Sequence, residues 1–158
     1  PERPAIQIEK DYGDLPLVNC YPGQLNQVFM NILANALDAL DQRDRDRSLE
    51  AIKQHPSVIK VQTQRVGSDR VLIRIEDNGP GISEQLQQRI FDPFFTTKPV
   101  GKGTGIGMSI SHQIITEKHG GTLHCFSVPG QGAQFTIEIP CLGRPSFDSH
   151  SGISEFST

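Results

Sequence analysis

Between residues 25 and 40 apolar side chains return at steps of three and four: Leu25, Val28, Phe29, Ile32, Leu33, Ala36, Leu37 and Leu40. At about 100° per residue they share one face, so the stretch reads as a long amphipathic helix laid on a core. Pro22 stands near its start, where a missing N–H costs little. The charged run 41–47 reads as its solvated exit. Other segments show strand patterning. Runs at 58–63 and 71–76 are rich in β-branched residues and flank a Gly67-Ser68-Asp69 turn, as in an antiparallel hairpin. Residues 122–126 and 134–139 read as a closing hairpin, and shorter strand-like runs at 5–9 and 17–20 are separated by a turn-prone segment at 11–14. Further helices are predicted at 49–54, 84–90 and 106–118, the last capped by Gly120 after His119. Between them, Pro93, Pro99, Gly101, Gly103 and Gly105 deny regular structure to 91–105, which has the length of a lid.

Helices on a sheet built largely from hairpins predict an α+β fold: a two-layer α/β sandwich, with a mixed, mostly antiparallel sheet of about five strands on about three helices. Residues 1–142 form one domain on this reading, and the Gly-, Pro- and Ser-rich stretch 143–158 is a disordered tail. The abrupt strand-like start, with no charged-then-apolar leader, is what a domain excised from a longer chain would show.

Charge and cysteine content narrow the function. A net charge of -3 with 21% charged residues describes no basic surface for a phosphodiester backbone, so no nucleic-acid partner is expected. Asn31, Asn35 and Asp38 interrupt the most apolar stretch, which falls short of the roughly 20 apolar residues that span a bilayer; no membrane contact is expected within this stretch. Cys20, Cys125 and Cys141 are odd in number and lack CxxC spacing, which argues for reduced thiols in a cytoplasmic protein rather than disulfides or a zinc site.

Three elements carry candidate chemistry. Gln27, Asn31, Asn35 and Asp38 form a polar stripe beside the apolar one on the first helix. Short amide and carboxylate groups are poorer helix formers than alanine by about half a kcal/mol each. Their oxygens suit a hard cation such as magnesium, although a polar flank hydrogen-bonded to a loop would leave the same pattern. The Asp77-Asn78-Gly79-Pro80-Gly81 turn ends a strand. It is either a turn alone or a carboxylate set to accept adenine's amino group, with glycines admitting a flat ring. Gly101-Lys102-Gly103-Thr104-Gly105-Ile106-Gly107 opens a helix, either as a flexible linker or as backbone N–H groups for phosphate, with Lys98 and Lys102 adding positive charge. It lacks the strand and spacing of a P-loop and the βαβ context of a dinucleotide fingerprint.

In this order and spacing the elements resemble the ATP-binding domain of sensor histidine kinases, in the superfamily shared with gyrase, heat-shock chaperones and mismatch-repair ATPases. Residues 31–36 look like the N box and 77–81 like the G1 box. Residues 91–95 resemble the F box, 103–109 the G2 box and 130–135 the final glycine motif. The resemblance implies ATP and Mg2+ as ligands, Asn35 as metal ligand, Asp77 as adenine acceptor and 95–105 as the ATP lid. It further implies nucleotide contacts from Asn31, Asp38, Gly79, Gly81, Ile82, Phe94, Lys98, Gly101, Lys102, Gly103, Thr104, Gly105, Ile106, Gly107 and Met108. The chain departs from the family pattern at Asp38-Ala39, where many members have a basic residue and then an aromatic, so Lys98 or Lys102 is the candidate replacement. It departs again at Ala133, where serine or threonine is frequent.

Related ATPases carry glutamate where this chain has Asn31, and an amide cannot take a proton from water at neutral pH. Asn31 therefore favours phosphotransfer to a histidine, whose neutral ring already offers a lone pair, over hydrolysis. Asn31 and Asn35 are the candidate catalytic residues. His55, His112, His119, His124 and His150 read as structural or solvated. The resemblance accordingly implies an acceptor histidine on a dimerisation domain upstream in the same parent protein, a homodimer, with a response regulator receiver domain as the next partner. A hydrolysing or serine-kinase relative and a non-catalytic nucleotide sensor are the alternatives.

Overall fold

The computed structural model describes residues 2–95 and 107–142. Five strands form one sheet: β1 (Gln7–Tyr12), β2 (Val58–Val66), β3 (Arg70–Asp77), β4 (Thr122–Ser127) and β5 (Ala133–Pro140), in the order β1-β2-β3-β5-β4. β1 runs parallel to β2 and every other pairing is antiparallel, which makes the sheet mixed and mostly antiparallel as expected. A parallel pair needs a crossover. Helices α1 (Pro22–Asp44) and α2 (Leu49–Gln54) supply it between β1 and β2.

The register puts Ile59, Ile75, Phe135, Ile137, Ile139 and Leu123 on one face of the sheet. These pack with Leu25, Val28, Ile32, Ala36 and Leu40 of α1 in a single core. The opposite face carries Gln62, Arg74, Glu76, Thr136 and Glu138, so a second helical layer is not required. Between β3 and β4 the chain makes a second long excursion, about as long as the one between β1 and β2. Within it lie α3 (Glu84–Gln87), α4 (Gly107–Gln113) and a π-helical turn, Ile114–Lys118.

Several boundaries differ from the sequence reading. Residues 17–20 form no strand; only Asn19 N donates to Cys141 O, at 2.7 Å, and Leu17 is 98% exposed. β1 starts later than expected and runs on to Tyr12 because its partner β2 continues beside it. The predicted helix at 84–90 keeps only one regular turn, and the helix at 106–118 changes from α to π at Ile114. Gly120 has φ 63° and terminates it as expected.

The end of α1 requires a larger correction. The helix does end within the run 41–47, where Asp41, Gln42, Arg45 and Asp46 are exposed, but its last residue, Asp44, has a side chain only 2% exposed. Arg3 Nη2 and Arg47 Nη1 donate to it at 2.8 and 2.7 Å, and Ser57 Oγ at 2.6 Å. Burial opposes the charge on Asp44, but the hydrogen bonds from Ser57, Arg47 and Arg3 outweigh it and hold its carboxyl below the usual range.

Candidate nucleotide site

α1 lies beside both ends of the β3–β4 excursion that the structure describes. A Cβ at Gly107 would sit 3.6 Å from Asn31 Cγ, and one at Gly79 would sit 3.1 Å from Ala39 Cβ. α4 therefore begins against one turn of α1 and the turn after β3 lies against another. Asn35, half-buried, is one helical turn from each. Residues 31–39 of α1 and the turn 77–81, far apart in sequence, thus lie side by side, with the start of α4 beside them.

Asn31 is committed by its amide group. Its Nδ2 donates to Gly107 O at 3.1 Å and to Ser111 Oγ at 3.0 Å, while Ser111 Oγ donates to Gly107 O at 2.8 Å. This three-group knot locks α1 to the first turn of α4. Glutamate has no donor for either acceptor, so an amide at position 31 is built into the packing.

Asp77 ends β3 and is 5% exposed. Its Oδ1 accepts from Gly79 N at 2.9 Å, and the Ala133 N–H also bonds the carboxyl. Burial raises its pKa above the ordinary carboxylate range, more than these two N–H groups lower it. Among the described residues no basic side chain pairs with it. Glycines let the neighbouring chain pack closely at this turn. A Cβ at Gly79 would come within 2.8 Å of Asp77 Oδ1, and one at Gly132, at φ 91°, would overlap the Asp77 carbonyl. Gly81 has φ 78°, and a Cβ there would lie 2.7 Å from Val128 O.

Ser127 and Gln87, which sequence reasoning passed over, hold this turn against β4. Buried Ser127 Oγ accepts from Ile82 N at 2.7 Å and donates to Gly132 O at 2.6 Å. Gln87 Nε2 donates to Ile82 O and Ser127 O, both at 2.8 Å, and its Oε1 accepts from Ser127 N at 3.2 Å. One glutamine side chain thus substitutes for a strand's backbone between the two segments. Asn78 is anchored likewise: its Oδ1 accepts from Val58 N at 2.8 Å and its Nδ2 donates to Pro56 O at 3.0 Å.

Asp38 and Phe94 are exposed, and Phe94 occupies the left-handed region at φ 64°. Ile82 is half-buried beside Ser127. Met108 is 7% exposed and its side chain belongs to the core, which leaves only its backbone for a ligand. Lys98, Gly101, Lys102, Gly103, Thr104, Gly105 and Ile106, with most of the predicted lid, lie outside the described residues. Where the described chain resumes, His112 packs on Phe91 with ring centroids 5.1 Å apart.

His119 is 2% exposed, and its Nε2 accepts from Tyr21 N at 3.1 Å. The proton therefore sits on Nδ1, which donates to Ile114 O at 2.9 Å. Both ring nitrogens are used in holding the start of α1 to the π-helical turn. Cys141 is buried, Cys20 and Cys125 are half-buried, and all three are free thiols. Burial pushes the Cys125 thiol up to about 12. Among the described residues, no three His, Cys, Asp or Glu side chains gather as a metal site and no helix is long and apolar enough to cross a membrane.

Residues 20–142 match the family described as histidine kinase-, DNA gyrase B- and HSP90-like ATPases. The chain is 40% identical over 141 residues to the signal transduction histidine-protein kinase AtoS of Escherichia coli (strain K12), covering 86% of this chain and 21% of AtoS. It is 35% identical over 136 residues to sporulation kinase E of Bacillus subtilis (strain 168), covering 85% of this chain and 16% of that kinase. The shared stretch is therefore a small part of each relative. Among solved structures, the catalytic domain of histidine kinase ThkA superposes with a TM-score of 0.68 at 30% identity, over 87% of this chain and 81% of that one. ThkA in complex with response regulator protein TrrA gives a TM-score of 0.64 at 27% identity, over 86% of this chain and 34% of that one. The chain belongs to the histidine kinase-, DNA gyrase B- and HSP90-like ATPase family, and within it is an ATP-binding catalytic domain of the histidine kinase type.

Proposed function

We propose that this domain positions ATP for transfer of its γ-phosphoryl group to a histidine on a dimerisation domain of the same parent protein, in the cytoplasm. The observation that carries this reading is Asp77. It is a buried carboxylate with two backbone donors, no basic partner among the described residues, and Gly79 packed against its Oδ1. A carboxylate has about four acceptor positions. Asp77 thus keeps capacity for adenine's exocyclic amino group, with Gly79, Gly81 and Ile82 lining the approach.

Asn35 projects from the same side of α1 and would hold magnesium through its amide oxygen. With no carboxylate cluster among the described residues, the rest of the coordination shell falls to water and phosphate oxygens, a donor set that fits this ion. Magnesium when bound neutralises charge on the β- and γ-phosphates. The backbone N–H groups of Gly105 and Gly107, with Lys98 or Lys102, bind the phosphates on this reading.

Transfer forms a bond between an imidazole nitrogen and the γ-phosphorus as the bond to the departing ADP oxygen breaks. Asn31 takes no part as a base, since an amide cannot take a proton at neutral pH and its Nδ2 is held by Gly107 and Ser111. The phosphohistidine then serves a response regulator receiver domain.

The test joins this chain to the histidine-bearing domain of its parent and supplies Mg-ATP labelled on the γ-phosphate. The expected label is acid-labile and base-stable, as phosphohistidine is, with little phosphate released to water. Label on serine, or rapid ATP hydrolysis by the domain alone, contradicts the proposal.

A further inference from the structure

Four residues before β1, Arg3 spans two carboxylates at the end of α1. Its Nη1 bonds Asp41, and its Nη2 bonds Asp44 Oδ2 at 2.8 Å. Asp44 is already a hub. Arg47 and Ser57 bond it from the segment that follows α1, and Arg47 Nη2 continues to Ala51 O and His55 O at 2.8 and 2.9 Å. Ser57 O in turn accepts from Gln7 N, the first residue of β1, at 2.9 Å. The incoming chain is therefore held on both sides of Pro4, by its arginine ahead and by its strand behind.

This arrangement exceeds what folding β1 requires. The strand is already paired along its length with β2, and Asp44 is already neutralised by Arg47 and hydrogen-bonded by Ser57. What Arg3 adds is a fixed exit for the chain that precedes it. The fixed point is on α1, the helix that carries Asn31 and Asn35. Nine residues of helix separate Asn35 from Asp44, about 13 Å at 1.5 Å per residue. A rigid rod thus connects the place where the preceding chain leaves to the place where phosphate would sit.

We propose that Arg3 is a positioning residue for phosphotransfer: by clamping the preceding chain onto Asp41 and Asp44, it shortens the tether to the histidine-bearing domain and aims it relative to the nucleotide. This rests on the kinase reading above. Releasing Arg3 adds a few free residues to the tether, and effective concentration falls with roughly the −3/2 power of tether length. The chemistry at the nucleotide is untouched.

The experiment uses the parent protein and measures histidine phosphorylation as a function of ATP concentration for wild type, Arg3→Ala, Arg3→Lys and Asp41→Asn. Arg3→Ala is expected to lower kcat by about two- to fivefold with KM for ATP unchanged. Arg3→Lys, which keeps a cation on Asp44, should recover most of the loss, and Asp41→Asn should fall between them. Equal kcat in wild type and Arg3→Ala overturns the clamp alone. A lower kcat accompanied by weaker ATP binding also overturns it, since that marks general damage to the domain. A wild-type parent that labels no histidine overturns the kinase reading and the clamp together.

Discussion

Asp77 and Asp44 are equally buried, each 5% exposed, yet the protein surrounds them with opposite chemistry. Asp44 meets two guanidinium groups and a hydroxyl, and its pKa falls. Asp77 meets two backbone N–H groups and a wall of glycines, and its pKa rises. Burial of a carboxylate is therefore no mark of function by itself; the mark is whether the fold supplies its counter-charge. Asp44 is complete and joins three chain segments. Asp77 is shaped by steric exclusion rather than by ions, and retains acceptor capacity facing the turn.

If Asp77 is held by shape, a methyl group in its wall should do the most harm. Gly132→Ala combines a strained φ with overlap on the Asp77 carbonyl and should cost more than about 3 kcal/mol, seen as a large drop in thermal midpoint. A midpoint near wild type would mean that the wall yields. Asp44→Asn should come next, at about 2 to 3 kcal/mol in denaturant unfolding, because Arg3 and Arg47 lose their counter-charge and the amide NH2 replaces one of the two acceptor oxygens that Arg3, Arg47 and Ser57 share. Ser127→Ala strands Gly132 O and Ile82 N, for about 2 kcal/mol, and should weaken nucleotide binding in parallel. Calorimetry that finds stability lost and affinity intact would separate the β4 brace from the site.

The smallest effect is in pH dependence, and it has opposite signs at the two residues. The depressed folded pKa of Asp44 means that its ionised form stabilises the fold above the ordinary carboxylate range, and that this contribution is lost as pH falls through the folded value. The stability gap between wild type and Asp44→Asn should narrow on acidification. The raised folded pKa of Asp77 means that the fold binds its proton more tightly than the unfolded chain does, so its contribution declines as pH rises from the ordinary range through the folded value. Acidification should therefore favour wild type over Asp77→Asn. Parallel slopes in denaturant melts would erase the distinction.

This contrast was only half legible in the sequence. The polar stripe on α1 stands out in the sequence because asparagines cost helix propensity and recur on one line, and Asp77 because it ends a β-branched run beside two glycines. Asp44 could not. In a run of alternating Asp and Arg every position has the pattern of a solvated surface, and only the distant Arg3 and Ser57 select one aspartate for burial. Gln87 and Ser127 escaped for a related reason. Their bonds join side chains to backbone across 40 residues, and such bonds impose no period on the chain. The strand expected at 17–20 failed because apolar residues there lack a continuous partner, and the π-helical turn at Ile114 has no compositional signature.

The central claim, that Asp77 is a binding carboxylate and Asp44 a structural one, is tested most directly by titrating Asp77→Asn and Asp44→Asn with a non-hydrolysable ATP analogue and magnesium, and by melting both without ligand. Asp77→Asn should bind at least about 100-fold more weakly while melting at or above the wild-type temperature, because an amide offers a donor where adenine needs an acceptor. Asp44→Asn should melt earlier and, while folded, bind within about threefold of wild type, since its carboxylate lies some nine residues of helix away from Asn35. Wild-type affinity in Asp77→Asn, or a binding loss in Asp44→Asn as large as that expected for Asp77→Asn, would contradict the account.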